Sequence, residues 1–323
     1  MRLVRSMLFT ALLAIAAAAH SQQAAPAAGT VGKAAPVPLL WKVSDADNAV
    51  YVLGSFHLLK PDDYPLSKDV DAAFEDAEEL VFEMAPEELS SPALGVKMGQ
   101  AALRTDGTQL NSELAPDVAA KLEAWLQANG EHLQQSGVQP SMLQMFEPWF
   151  VGLMISLTEM TKMGLDPALG LDMHFANAAK DAGKPTAGLE TGDQQIAFLD
   201  GMNKDEQVQM LAEALDESAE GRKELEKLHR LWREGDADGI WEGMGAEMKA
   251  EYPKLYQRIN VERNDAWLGK IEQRLKTGKD DTLLVVGALH TLGSDGVVEK
   301  LKARGYEVER ICSMCADSKR QAP

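Results

Sequence analysis

Cysteine is nearly absent from this 323-residue chain: only Cys312 and Cys315 occur, in Cys-Ser-Met-Cys. In a reducing cytosol this spacing would suggest metal or redox work. In an oxidising compartment a local disulfide is the plainer reading. A thioredoxin-like role needs a helix after the pair to lower a thiol pKa, and eight residues follow Cys315. Basic charge is also scarce, with 32 Lys and Arg against 50 Asp and Glu and a net charge of −18. That balance argues against binding nucleic acid or anionic lipid. Long apolar runs are missing beyond the first 19 residues. The longest later stretch, Phe150 to Leu157, suits a buried helix, because a membrane span needs roughly 20 apolar residues.

What is present begins with an address. Arg2 and Arg5 form a basic head, Met7 to Ala19 an apolar run, and Ala17 to Ser21 a small-residue cleavage site. Residues 1–21 are therefore expected to be a cleaved signal peptide, which makes the protein periplasmic or secreted. No cysteine sits near the cut to carry a lipid anchor. Its removal takes away two bases and brings the net charge near −20. Residues 22–38 are rich in Ala, Pro and Gly and read as a flexible leader. A single domain is expected over 39–315, with 316–323 as a tail.

Leu39–Ser44 and Val50–Ser55 read as strands of a hairpin about the polar turn Asp45–Ala49. Val70–Glu79 reads as a helix and Leu80–Met84 as a buried strand. Helical patterning runs from Ser91 to Gly164, and Pro148 should kink or break its last segment. A helix over Gly170–Ala182 and a short strand over Pro185–Leu189 follow. Lys204–Lys276 is mostly helical, Thr282–Val286 a strand, Ser294–Arg304 a helix and Tyr306–Ile311 the last strand. Strands at both ends and helices between predict an α/β fold with a mixed sheet and a large helical insertion.

An internal repeat points to the site. Val52-Leu-Gly-Ser-Phe-His57 lines up with Val285-Val-Gly-Ala-Leu-His290, and each copy reads as strand, Gly-x-x-His, helix, strand. Open α/β sheets bind ligands at the carboxyl ends of their strands. Neighbouring strands would bring the two imidazoles, which suit proton transfer and borderline metals, to one point. A single such His is more often bonded to backbone; duplication favours a site. Glu83 lies within an apolar strand, where it faces solvent from an edge or needs a partner, a metal or a proton. Glu190 ends the next strand as a ligand, a general base or a helix cap. Arg263 and Asn264 stand in Glu-Arg-Asn, either as a surface helix pair or as donors to an oxyanion. Asp172, a lesser candidate, is explained equally by helix-dipole complementarity. His132 and His229 lie in charged surroundings and are expected to be solvated, and His20 falls in the signal peptide.

The ordered set of these motifs resembles the TraB/GumN family, also called TraB/PrgY/GumN, which includes the Tiki-type extracellular metalloproteases. The resemblance rests on Leu-Trp-Lys-Val-Ser before Gly-Ser-Phe-His, then Leu-Val-Phe-Glu, Gly-Leu-Asp, Gly-Leu-Glu-Thr with Gln194 or Gln195, Glu-Arg-Asn and Gly-Ala-Leu-His. It implies roles for His57, His290, Glu83, Arg263 and Asn264, and a manganese- or cobalt-dependent peptidase; the donor set itself also admits zinc. The expected function is an exported metal-dependent hydrolase of peptides or small molecules. His57, His290 and Glu83 would be the ligands, and Glu190, Arg263 and Asn264 the catalytic groups. The alternatives are a binding protein that sequesters such ligands, or an accessory factor in exopolysaccharide production. Nothing in the sequence fixes an oligomeric state.

Overall fold

The computed structural model describes residues 34–220 and 222–315. The expected signal peptide, residues 22–33 of the leader and the tail lie outside them. Strand β1 (Leu40–Ser44) and strand β2 (Ala49–Ser55) form the expected antiparallel hairpin, with Leu40 opposite Leu53. Helix α1 (Lys68–Asp76) leads into β3 (Glu79–Met84). The helices α2 (Pro92–Ala102), α3 (Pro116–Gln135), α4 (Pro148–Lys162) and α5 (Leu171–Ala182) precede β4 (Thr186–Glu190). Pro148 starts α4 instead of kinking a longer helix, and Pro140–Met145 ahead of it is a 3₁₀ turn. Proline's missing N–H is tolerated at a first helical position.

Next come α6 (Gly192–Asp200), α7 (Lys204–Glu220), α8 (Arg222–Glu234) and α9 (Glu262–Thr277). The chain ends with β5 (Thr282–Gly287), α10 (Val297–Ala303) and β6 (Glu307–Arg310). The strand order is β4-β3-β5-β2-β1-β6. β1 is antiparallel to both neighbours and every other pairing is parallel. The fold is thus α/β with a mixed sheet and a large helical part. Among the described residues no helix is long and apolar enough to cross a membrane.

β2, β5 and the body of β3 are buried on both faces, as parallel strands covered by helices must be. The connection from β2 through α1 passes β5 to reach β3. The connection from β5 through α10 runs the opposite way, past β2 and β1, to β6. Right-handed crossovers in opposite directions put their helices on opposite faces. Phe74 of α1 packs on Phe175 of α5 at 5.7 Å between ring centroids, while α9 packs against α10, β2 and β4.

The helical insertion has a core of its own around Trp149, Leu153, Ile155 and Leu211. α4 and α7 are its closest pair, and a Cβ on Gly152 would lie 3.4 Å from the Leu211 Cα. Two expectations shift. The leader is held from Ala34 on: Arg233 donates to the Ala34 carbonyl at 2.8 Å, and the Val37 N–H donates to the Arg233 carbonyl at 2.8 Å. His229 is not solvated but buried, its Nε2 2.8 Å from Asp63 Oδ2. The charged sequence around it misleads because α8 turns that face toward the Asp63 loop. Arg233, one turn on, pairs with the same carboxylate.

Candidate active site

The two Gly-x-x-His units sit side by side. β2 and β5 are parallel neighbours, with Gly54 opposite Val286 and Ser55 opposite Gly287. Each histidine therefore leaves the same end of the sheet. Gly54 serves packing: a Cβ there would lie 3.0 Å from the Leu39 Cβ and 3.3 Å from the Ala288 Cα. Gly287 serves the site. A Cβ on it would lie 3.1 Å from His57 Nε2, 3.2 Å from Glu83 Oε1 and 3.6 Å from His290 Cδ2. One glycine thus marks the point on which both imidazoles and a carboxylate converge.

Gly-Leu-Asp positions the first imidazole. A Cβ on Gly170 would collide with the His57 carbonyl, so only glycine lets the start of α5 approach that loop. The Leu171 N–H donates to the Phe56 carbonyl at 3.1 Å. Asp172 Oδ2 then meets His57 Nδ1 at 2.7 Å and accepts from Ser55 Oγ at 2.5 Å. Dipole complementarity therefore does not exhaust the role of Asp172. Burial alone would lower the His57 pKa, but the charge and hydrogen bond of Asp172, with Glu83 behind them, raise it above its ordinary value. Burial likewise opposes the charged form of Asp172, and His57 outweighs it and holds the carboxyl below its usual range. The bond fixes the ring and aims Nε2 inward, where it is buried with no hydrogen-bond partner.

Asn264 does the same for the second ring, its Oδ1 lying 2.7 Å from His290 Nδ1. Its Nδ2 donates to the Asp295 carbonyl at 2.7 Å. Burial, then the Arg263 and His57 charges, push the His290 pKa well below its usual value. His290 is neutral, with its Nε2 lone pair 3.1 Å from Arg263 Nη1. Arg263 and Asn264 are buried, so the surface-pair alternative falls away.

Glu83 stands on an internal strand, 1% exposed, which excludes the solvent-facing alternative. Its Oε2 accepts from Arg263 Nη2 at 2.6 Å and its Oε1 from the Gly287 N–H at 2.8 Å. Glu190 is more heavily engaged. Oε1 takes Arg263 Nη2 and Gln195 Nε2, and Oε2 takes Arg263 Nε at 3.1 Å and Trp267 Nε1 at 3.1 Å. Trp267 also lies against the His290 ring, 4.5 Å between centroids. Trp267 gave no chemical signal in the sequence, whereas Gln194 or Gln195 stood in the Gly-Leu-Glu-Thr motif with no role assigned. The one usable hint was that Trp267 follows Arg263 by four residues and shares its helix face. His174 stays apart from the site, its ring tilted against Tyr64 at 5.0 Å between centroids.

A family model described as TraB/PrgY/gumN matches residues 39–310, a span that contains every residue of this cluster. The chain belongs to the TraB/PrgY/gumN family. Within curated proteins, this family member is 25% identical over 175 residues to "Uncharacterized protein YbaP" of Escherichia coli (strain K12), and equally so to the protein of that name from Shigella flexneri. Each match covers 54% of this chain and 64% of the relative. No solved structure matches it.

The donor set can be tested against a divalent cation. Among the described residues no three His, Cys, Asp or Glu side chains form a ready-made metal cage. Arg263 accounts for this: its guanidinium engages both glutamates and His290, where a second cation would compete. By chemistry the set nevertheless fits. Two imidazoles with Nδ1 held and Nε2 facing inward stand beside a carboxylate that keeps an open acceptor position on each oxygen. Of three buried carboxylates, Glu83 and Glu190 pair with the Arg263 guanidinium and Asp172 pairs with His57. If a bound cation displaces the proton that Asp172 favours on His57, three carboxylates against one guanidinium leave a surplus of two negative charges, which is the charge that a divalent cation balances. Cys312 and Cys315 form the expected disulfide and take no part in the cluster.

Proposed function

We propose that this protein is an exported, metal-dependent hydrolase, with peptides as its leading substrate class. His57, His290 and Glu83 would hold a divalent ion. The observation that carries the reading is the buried, partnerless Nε2 of His57, aimed by Asp172 at a point shared with Glu83 and His290. An unpaired polar atom at that depth is costly unless something binds it. When bound, the ion supplies Lewis acidity, which polarises a carbonyl and makes water a nucleophile near neutral pH.

The chain's own groups supply the rest. Asp172 and Asn264 fix the ring orientations. Arg263 brings a fixed positive charge to the site, suited to a developing oxyanion. The oxygens of Glu190 are filled by four hydrogen bonds from Arg263, Gln195 and Trp267. We assign it to holding Arg263 and not to general base catalysis. Glu83, with an open acceptor position at each oxygen, suits the part of ligand to the ion.

The test is metal analysis of purified protein with an unbiased peptide-cleavage screen. His57→Ala and His290→Ala should each abolish metal retention and turnover, and the double variant should be little worse than either, because groups acting as a unit are non-additive. His132→Ala serves as the control. Independent, multiplicative losses would overturn the shared site. Export is tested by N-terminal sequencing of cell-extracted protein, which should start between about residues 18 and 26.

A further inference from the structure

The cleft that leads to His57 is small and nearly all apolar. Phe56, Met244, Ala288 and Leu289 line it, with Ser55 and His57 as its polar side chains and Gly287 at its base. Its volume is about 10 Å³, about the room that one water needs and far below the roughly 300–1,000 Å³ of ligand pockets in general. All of its lining but one residue comes from the ends of β2 and β5. The exception is Met244, which reaches in from the helical insertion.

Met244 is carried unusually. Trp241–Ala246 is a π-helical turn, a form that concentrates at functional sites. The Trp241 ring locks this turn over the second Gly-x-x-His loop. A Cβ on Gly293, which has φ +70°, would fall 2.5 Å from that ring, and one on Gly245 would collide with it. Trp241 meets Tyr256 edge-on at 6.2 Å. A second π-helical turn, Gln257–Val261, separates this segment from α9 and its Arg263. The segment thus has irregular turns around it, while the rest of the cleft is anchored in the sheet.

We propose that Met244 is the gate and specificity-determining residue of the His57 site, and that it selects substrates presenting a small, uncharged, apolar group beside the bond to be cleaved. The substrate class rests on the hydrolase reading above; the gate does not. Apolar walls favour such a group and offer a charged one no partner to replace its lost hydration. An unbranched thioether adapts its shape as the gate opens.

The test treats chelator-stripped protein with diethyl pyrocarbonate, a small electrophile that acylates a free imidazole nitrogen, since an ion on Nε2 would itself block the reaction, and maps peptides at each histidine. In the wild type, His57 should react slowly and the half-exposed His132 quickly. Met244→Ala should speed reaction at His57 several-fold while His132 is unchanged and buried His229 stays protected. Met244→Leu, which conserves volume, should behave as wild type. If Met244→Ala also exposes His229, the smaller truncation Met244→Val is read instead. An unchanged His57 rate with His229 protected overturns the gate, whatever the activity. In parallel, a peptide panel graded by apolar side-chain size should shift toward larger groups in Met244→Ala. Unchanged preference overturns the substrate class. A faster His57 reaction without hydrolysis of any peptide by either protein sinks the hydrolase reading and leaves the gate standing.

Discussion

Asp172 and Glu190 invert the expectations that their sequence positions invite. Asp172 looks like an ordinary first-turn acid, yet it orients His57. Glu190 sits where a catalytic carboxylate belongs, at a strand's carboxyl end, yet its oxygens are filled by Arg263, Gln195 and Trp267. Glu190→Gln should therefore behave as a stability variant. It leaves a buried guanidinium with one charge partner fewer, which costs about 3–5 kcal/mol. Urea unfolding should show a lower midpoint at unchanged m. A variant as stable as wild type but inactive would restore Glu190 as a base. The repeated Gly-x-x-His was legible from sequence because its signal is local. Of the partners of Glu190, Arg263 and Gln195 stood in motifs that did not reveal the pairing, and Trp267 carried no distinctive spacing for this work.

The elements show what charge patterns conceal. On α8, His229 and Arg233 both bind Asp63, which is 0% exposed and ties the insertion to the loop after His57. His229→Ala removes one partner and should cost about 1–3 kcal/mol, measured by denaturant unfolding. A change within error would return His229 to the solvated role its sequence suggests. On α7, Glu213 is buried near Asp216 and Glu217 of its own helix and Glu251 opposite, and Lys121 of α3 pairs with Asp216. Burial first, then these like charges, raise its pKa from 4.5 to about 8. Between those values the unfolded chain has released the proton and the folded one retains it. Stability must fall as pH rises through that window. Glu213→Gln should match the wild type near pH 4.5 and exceed it by on the order of 1–3 kcal/mol at pH 8. Parallel pH profiles of Tm in the two proteins would expose an error as curves that fail to diverge.

Across the whole molecule, element types were readable and their arrangement was not. Hairpin, helices and terminal strands follow from apolar periodicity and turn residues. Periodicity does not say that β5 lies between β3 and β2, nor that β1 alone runs antiparallel. The repeat supplied the one long-range clue, by suggesting that β2 and β5 are neighbours.

That placement governs how the chain can acquire its shape. β5 begins at Thr282 and is the strand on which β2 and β3 both pair. Until it emerges, two apolar strands made more than 190 residues earlier present open edges with nothing between them. Contacts so distant in sequence slow the search for the native state, and bare edges invite pairing with other chains. A chain ending at Asp281 should therefore keep its helical insertion, with its separate core around Trp149 and Leu211, yet aggregate through the unfinished sheet. Far-UV circular dichroism and light scattering on that truncation would show whether the late-made end of the chain, which carries β5, commits the whole sheet.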